Sequence, residues 1–342
     1  MRAVTALIFL VLVSANSLAH HSMAEFNRSV THEISGEIVK VIWRNPHIRI
    51  SVRADDGSED VWEVEGNTVN SLDRAGVSPG VVAVGDAVRV AGAPSTRRAE
   101  HMVMTNLLLA DGRELLAGLS AEPRWSDRTV GDFEAIRGRA DEYVAPVEDI
   151  YRVWSTVVTN IPAFTRDAPL TASAQAGFDA FDPTRDDPVL GCEKPGMPEA
   201  MTYVGPHPFG FVELDNGNIE IHIESDDNVR VIHMDDGTSA DNQPHSPLGY
   251  SAGRWEGNVL VVTTTRIDWP YFKINGFVAA PQSEDIEFAE RFALDSAAGE
   301  LTYSFTATDP ATFTRPVTGE NYHVWRYRPG VEVQAYDCTL DE

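Results

Sequence analysis

The stretch FGFVELDNGNIEIHIESDDNVRVIHM, residues 209–234, carries the fold in miniature. Ile219, Ile221 and Ile223 recur at every second position, the period of one face of a strand. Asp215-Asn216-Gly217 and Asp226-Asp227-Asn228 are turn residues on either side. Three strands result, Phe209–Leu214, Asn218–Glu224 and Val229–Met234. The same rhythm continues through Tyr250–Trp255, Asn258–Arg266, Glu284–Leu294, Leu301–Thr306, Glu320–Tyr327 and Val331–Tyr336, with Ile150–Ser155 as an earlier strand. A run of nine or ten antiparallel strands implies a sheet that closes on itself, because closure removes exposed edges. The expectation for residues 150–342 is a larger, lipocalin-like antiparallel barrel, wide enough to hold a ligand.

Working back toward the N-terminus, residues 117–149 form a connection with a helical stretch near Val130–Arg139, and Thr171–Phe181 is a second helix signal. Residues 20–116 carry five short strands: Glu33–Trp43, His47–Ala54, Asp60–Glu65, Asp86–Gly92 and His101–Leu109. A helix over Thr68–Ala75 is closed by Gly76. Five strands and one helix suggest a small OB-like barrel. The fold class is therefore all-β, a small barrel followed by a larger one.

Residues 1–19 read as a signal peptide: Arg2, an apolar run from Val4 to Val13, and small residues Ser17 and Ala19 at a cleavage site after Ala19. No segment reaches the apolar length of a membrane span. The expectation is a periplasmic or secreted protein. Its 52 acidic and 27 basic residues leave a net charge of −25, which argues against nucleic acid or an anionic membrane as partner. Cys192 and Cys338 are the only cysteines, and an oxidising compartment favours a disulfide between them.

Several motifs carry a resemblance. Ala19-His20-His21-Ser22, Trp43-Arg44-Asn45-Pro46-His47, Trp62-Glu63-Val64-Glu65-Gly66 and Leu109-Ala110-Asp111-Gly112-Arg113 resemble an uncharacterised family of exported bacterial proteins. Tyr151-Arg152-Val153-Trp154-Ser155, Gly196-Met197-Pro198, Gly253-Arg254-Trp255-Glu256-Gly257 and Tyr336-Asp337-Cys338 resemble a second such family, some of whose members are fused to the first. Tyr250 and Gln282 stand where related chains of the second family carry His. Neither resemblance implies an activity.

Three constellations could carry chemistry. At a mature N-terminus beginning with His20, the amine and imidazole of His20 with a nitrogen from His21 or His47 would suit Cu(II). The competing explanation is a frayed polar terminus. In the second block, a turn pairing Glu224 with Val229 would set Glu220 opposite His233, with His222 and Asp235 nearby. That grouping suits acid–base chemistry or a divalent metal. Its competitor is a solvated outer face with the isoleucines inside. Third, Arg152, Trp154, Tyr250, Arg254, Trp255, Glu290 and Arg291 could line a ligand pocket with Trp269, Tyr271, Phe272 and Phe288, or form structural ion pairs.

No nucleophile elbow, phosphate loop or dinucleotide fingerprint occurs. The leading expectation is an exported protein binding a small apolar or amphipathic ligand in the second barrel, with copper a candidate at the N-terminus. The alternatives are a periplasmic isomerase, lyase or hydrolase using the barrel cavity, and an envelope scaffold. Oligomeric state is not legible.

Overall fold

The computed structural model describes residues 25–117, 121–132, 146–203, 207–234 and 239–340. His20, His21, Asp235 and the expected signal peptide lie outside them, as does most of the helix expected near Val130–Arg139. Among the described residues no helix is long and apolar enough to cross a membrane.

The first block is built from β1 (His32–Ile42), β2 (Arg49–Ala54), β3 (Val61–Glu65), β4 (Ala87–Pro94) and β5 (His101–Leu109). β2 joins β1 to β3, β4 joins β1 to β5, and a parallel pairing of β3 with β5 closes the circuit. Two short strands, β6 (Glu114–Leu116) and β7 (Thr129–Val130), extend it beyond β5. Alternation along the strands sends Ile34, Ile38, Ile50, Val52, Val64, Val90 and Met102 inside, where they form one apolar cluster. Gly36 is required on β1, since a Cβ there would lie 2.0 Å from the Arg53 carbonyl oxygen. Helix α1 (Val69–Arg74) is capped by the Thr68 hydroxyl, which accepts from Ser71 N, and drops Leu72 into the same core. The expected strands and helix all appear within a few residues of their expected bounds.

The second block closes through nine strands in the circuit β8-β9-β10-β11-β12-β13-β16-β17-β18. Their ranges are β8 Val153–Thr159, β9 Phe209–Glu213, β10 Ile219–Ile223, β11 Asn228–Met234, β12 Tyr250–Glu256, β13 Val259–Thr265, β16 Glu287–Asp295, β17 Glu300–Thr308 and β18 Val317–Tyr327. A separate hairpin, β14 (Tyr271–Ile274) and β15 (Phe277–Pro281), interrupts the series. The barrel is not wholly antiparallel: β11 runs parallel to β12, because the chain between them crosses back instead of turning tightly. Helix α2 (Ala172–Ala180) packs on β15, with Gly177 letting Pro281 approach. A one-turn helix α3 (Glu199–Thr202) packs on β14.

Aromatic side chains and one ion pair occupy the interior of the second barrel. Phe209, Phe292, Tyr303, Phe305 and Trp325 are fully or almost fully buried, and their rings touch in edge and stacked pairs with centroids 4.5–6.3 Å apart. Arg230 is buried among them, bidentate on Glu290, and its guanidinium also donates to Ser251 Oγ and Thr264 Oγ1. Tyr303 donates to Glu290 at 2.9 Å. Every nitrogen and oxygen of this ion pair has a hydrogen-bond partner inside the barrel, which favours burying the charges together.

Residues Val331–Tyr336 were expected as a strand, but the chain there has no ladder partner. It runs between the two barrels, and Asn45 and Asn70 of the first donate to the carbonyls of Tyr336 and Ala335. Asp227 accepts from the backbone N–H groups of Tyr336 and Asp337 at 2.7 and 3.1 Å, and Glu224 accepts from Gln334 N at 2.8 Å. Side-chain carboxylates thus take the place of a neighbouring strand. A disulfide between Cys192 and Cys338, with Cα atoms 5.7 Å apart, ties this tail to the second block.

Candidate functional site at the junction of the barrels

The tail, the first barrel and the second barrel meet around a cavity of about 180 Å³. Pro46 and His47 come from the β1–β2 turn, Ser225 and Asp226 from the turn after β10, Glu199 and Tyr203 from α3 and its end, Lys273 from β14, and Tyr336 from the tail.

Local sequence explains each placement. In β14, Phe272 and Ile274 enter the core, so strand alternation sends Lys273 to the opposite face. There its ammonium is 2.5 Å from both Asp187 Oδ2 and Glu199 Oε1 and 5.2 Å from the centre of the Tyr203 ring. Asp187 is held by its own role as cap of the short turn Pro188–Gly191. Asp226 sits at φ 61°, a left-handed conformation that Asp tolerates better than most residues. Its carboxylate accepts only from the neighbouring Ser225 hydroxyl, at 2.9 Å.

The electrostatics follow from burial. Glu199 is 4% exposed, and burial pushes its carboxyl up to about 7 despite the adjacent Lys273, whose charge Asp187 shares. Burial opposes the charge on Lys273, but Glu199 and Asp187 outweigh it and hold the ammonium protonated. Burial also raises Asp226. The Tyr336 phenol is raised by burial and then by Asp226, Glu224 and Asp227. His47 is lowered by burial, so its ring is neutral, with Nδ1 3.1 Å from the Gly66 carbonyl. Beside the cavity, Glu224 is buried, yet His207, Arg74 and Gln334 N together hold its carboxyl below the usual range.

The residues expected from sequence fall elsewhere. β10 pairs with β11 so that His222 faces Val229 and Glu220 faces Val231, two residues away from the expected register, because Asn228 already pairs with Ile223. With Ile219, Ile221 and Ile223 in the core, Glu220 and His222 lie on the outer face, bonded to each other at 2.8 Å. His233 stacks on Tyr250 with ring centroids 4.4 Å apart and does not meet them. Trp154 is buried and donates to Ile150 O, whereas Trp255 is 42% exposed. Arg254 and Arg291 share Glu256 on the surface, and Arg152 pairs with Asp149 and covers the Tyr327 ring. Glu290 is the partner of Arg230 inside the barrel.

Another ligating group among the described residues is Glu63, Glu65 and His101, at the β3–β5 seam, with donor atoms within 4.8 Å of one another. Arg98 engages Glu65 and Glu25, Arg49 lies 3.8 Å from Glu63, and Phe26 stacks on His101. Two guanidiniums already balance most of the carboxylate charge, so the group is an ion-pair network that seals the seam.

Residues 7–103 match a family of unknown function, DUF6152. The match covers less than a third of the chain and takes in β1 to β4, the Asn45-Pro46-His47 turn and the start of β5. Most of the chain's first barrel is thus similar to an uncharacterised family. No curated protein matches the chain.

Proposed function

We propose that this is an exported small-molecule-binding protein whose site is the cleft between its two barrels. The observation that carries this is the cavity itself. It is lined from both barrels and the tail, and it gathers Glu199, Asp226, Lys273, Tyr203 and Tyr336, all with shifted proton affinity. The ligand expected inside the second barrel is reassigned to this cleft, since aromatic rings and the Arg230–Glu290 pair occupy the barrel. Periplasmic or secreted placement draws support from the disulfide and from the signal-like residues 1–19. The five-strand circuit closed by β3 and β5 supports an OB-like first barrel, and the closed nine-strand circuit a lipocalin-like second one. On this view the second barrel belongs to the second exported family.

A specific observation favours a second reading. The Glu199 carboxyl, pushed up to about 7 beside an ammonium, has the proton affinity of a general acid–base group at neutral pH. The two readings separate on whether the occupant is recovered unchanged.

Soaking crystals with n-propylamine, propionate, ethylene glycol and imidazole tests the assignment. Density between Tyr203 and Tyr336 is expected. Density confined to the ring cluster around Trp325 would place the site in the barrel instead.

A further inference from the structure

The cleft is short of positive charge. Three carboxylates, Asp187, Glu199 and Asp226, face a single ammonium, Lys273. Lys273 is committed to Asp187 and Glu199, and Asp226 has no cationic partner within hydrogen-bond distance. Burial favours the protonated form of Asp226 against the more distant charges of His207 and Lys273, and a cation in direct contact would favour the carboxylate. Tyr336 adds an independent sign of a ligand. It is 5% exposed, lines the cavity, and its phenol oxygen makes no hydrogen bond, while its backbone is tied down at both N–H and C=O. The oxygen is not sealed off: it stays accessible from the cavity, where a ligand can meet it.

The remaining walls fix the kind of cation. Pro46, Val189, Pro195, Ala200 and the rings of Tyr203 and Tyr336 are apolar surface that a bare ion would not use. The donors are also too dispersed for a metal: the three ligating side chains found together among the described residues are at the β3–β5 seam, not here. An ammonium with a short carbon chain satisfies both halves, giving its N–H groups to the carboxylates and the phenol and its carbons to the walls.

We propose that the cleft takes a small organic cation, an alkylammonium of a few carbons held between Asp226 and Glu199 against Tyr203 and Tyr336. This rests on the cleft being the ligand site. The ammonium nitrogen replaces the missing partner of Asp226 and supplies the Tyr336 oxygen with a donor. Binding also favours the ionised form of Glu199, whose charged neighbours are Lys273, Asp187 and Asp226, so a proton is released near neutral pH.

The test is titration calorimetry of the full mature protein with three probes of matched shape: n-propylammonium, n-propanol and propionate. Propylammonium is expected to bind in the millimolar range or tighter, with the other two weaker by roughly tenfold or more, the worth of a charge-assisted contact. Its apparent heat at pH 7 is expected to differ between buffers of different ionisation enthalpy, reporting proton release. Asp226→Asn, which keeps shape and tolerates the same backbone, and Glu199→Gln are each expected to weaken propylammonium by a similar factor and leave propanol unchanged. Equal or tighter binding of propanol or propionate at the cleft would overturn the cation and leave the cleft standing. Displacement of propylammonium by equimolar calcium would overturn the organic cation in favour of a metal ion. No binding by any probe would overturn both the cation and the cleft. If a variant fails to fold, the three probes on the unaltered protein still decide.

Discussion

The side chain of Asn45, in the first barrel, donates to the backbone carbonyl of Tyr336, 291 residues later. The same amide nitrogen is 2.7 Å from Asn70 Oδ1, and Asn45 Oδ1 accepts from Val69 N at 2.8 Å. One buried side chain therefore joins the β1–β2 turn, helix α1 and the tail that walls the cleft.

Asn45→Ala should leave Val69 N and the Tyr336 carbonyl without partners. The expected cost is about 1–3 kcal/mol for each polar group stranded in a buried place. Urea unfolding would measure it, and faster proteolysis of the tail than in the unaltered protein should accompany it. Unchanged stability and an unchanged cleavage rate would show that the tail does not depend on this side chain.

Removing the disulfide with Cys192→Ser and Cys338→Ser should cost about 2–5 kcal/mol, as losses of native bridges do. The cleft should suffer more than the fold. Tyr336 lies two residues from Cys338 and Val189 three from Cys192, and both line the cavity. Thermal melting and probe binding, each with and without reductant, separate the two effects.

Arg230 and Glu290 form a buried pair inside the second barrel. Glu290→Gln alone should destabilise by roughly 3–5 kcal/mol because it leaves the guanidinium uncompensated. Replacing both, as Arg230→Met with Glu290→Leu, should recover most of that loss. Denaturation midpoints of the single and double variants form the test, and a double variant as unstable as the single one would contradict it.

His323 is fully buried between Thr159 and the Thr202 carbonyl, and burial lowers its imidazole from 6.5 to about 4. The unfolded chain therefore binds a proton between those values that the folded chain refuses. Stability present above pH 6.5 is lost as pH falls toward 4, by roughly 3 kcal/mol at about 1.4 kcal/mol per pH unit. His323→Gln should flatten this dependence. Glu199 acts with the opposite sign: its carboxyl is raised from 4.5 to about 7, so the folded chain holds the proton and stability falls as pH rises through that window. Glu199→Gln should remove that fall. Unfolding midpoints from pH 4 to 8 for the three proteins check both signs.

The strands were legible because apolar alternation is a local property. Ile219, Ile221 and Ile223 enter the core as their spacing implies, and the first barrel matches nearly strand for strand. The register was not legible. Whether Ile223 or Glu224 opens the β10–β11 pairing depends on two left-handed residues, Asp226 and Asp227, in the turn. The hairpin of β14 and β15 was missed because Trp269, Tyr271 and Phe272 read as pocket walls. Lys273, one of only three lysines in the chain, stands in that aromatic segment and was the available clue to the cleft. Glu199, Asp226 and Tyr336 are far apart in sequence, and only the return of the tail brings them together. Tyr336 ends a stretch that alternates like a strand yet takes its partners from carboxylates.

The measurement that bears most directly on the cleft is tyrosine-ring carbon NMR of the folded protein during titration with n-propylammonium. Tyr203 and Tyr336 line the cleft, Tyr303 is enclosed in the second barrel, and Tyr250 stacks on His233 on its outer face. The account predicts that the Tyr203 and Tyr336 signals move together along one saturating curve while those of Tyr303 and Tyr250 stay in place. A saturating shift at Tyr303 with Tyr336 unmoved would contradict it and return the site to the barrel interior.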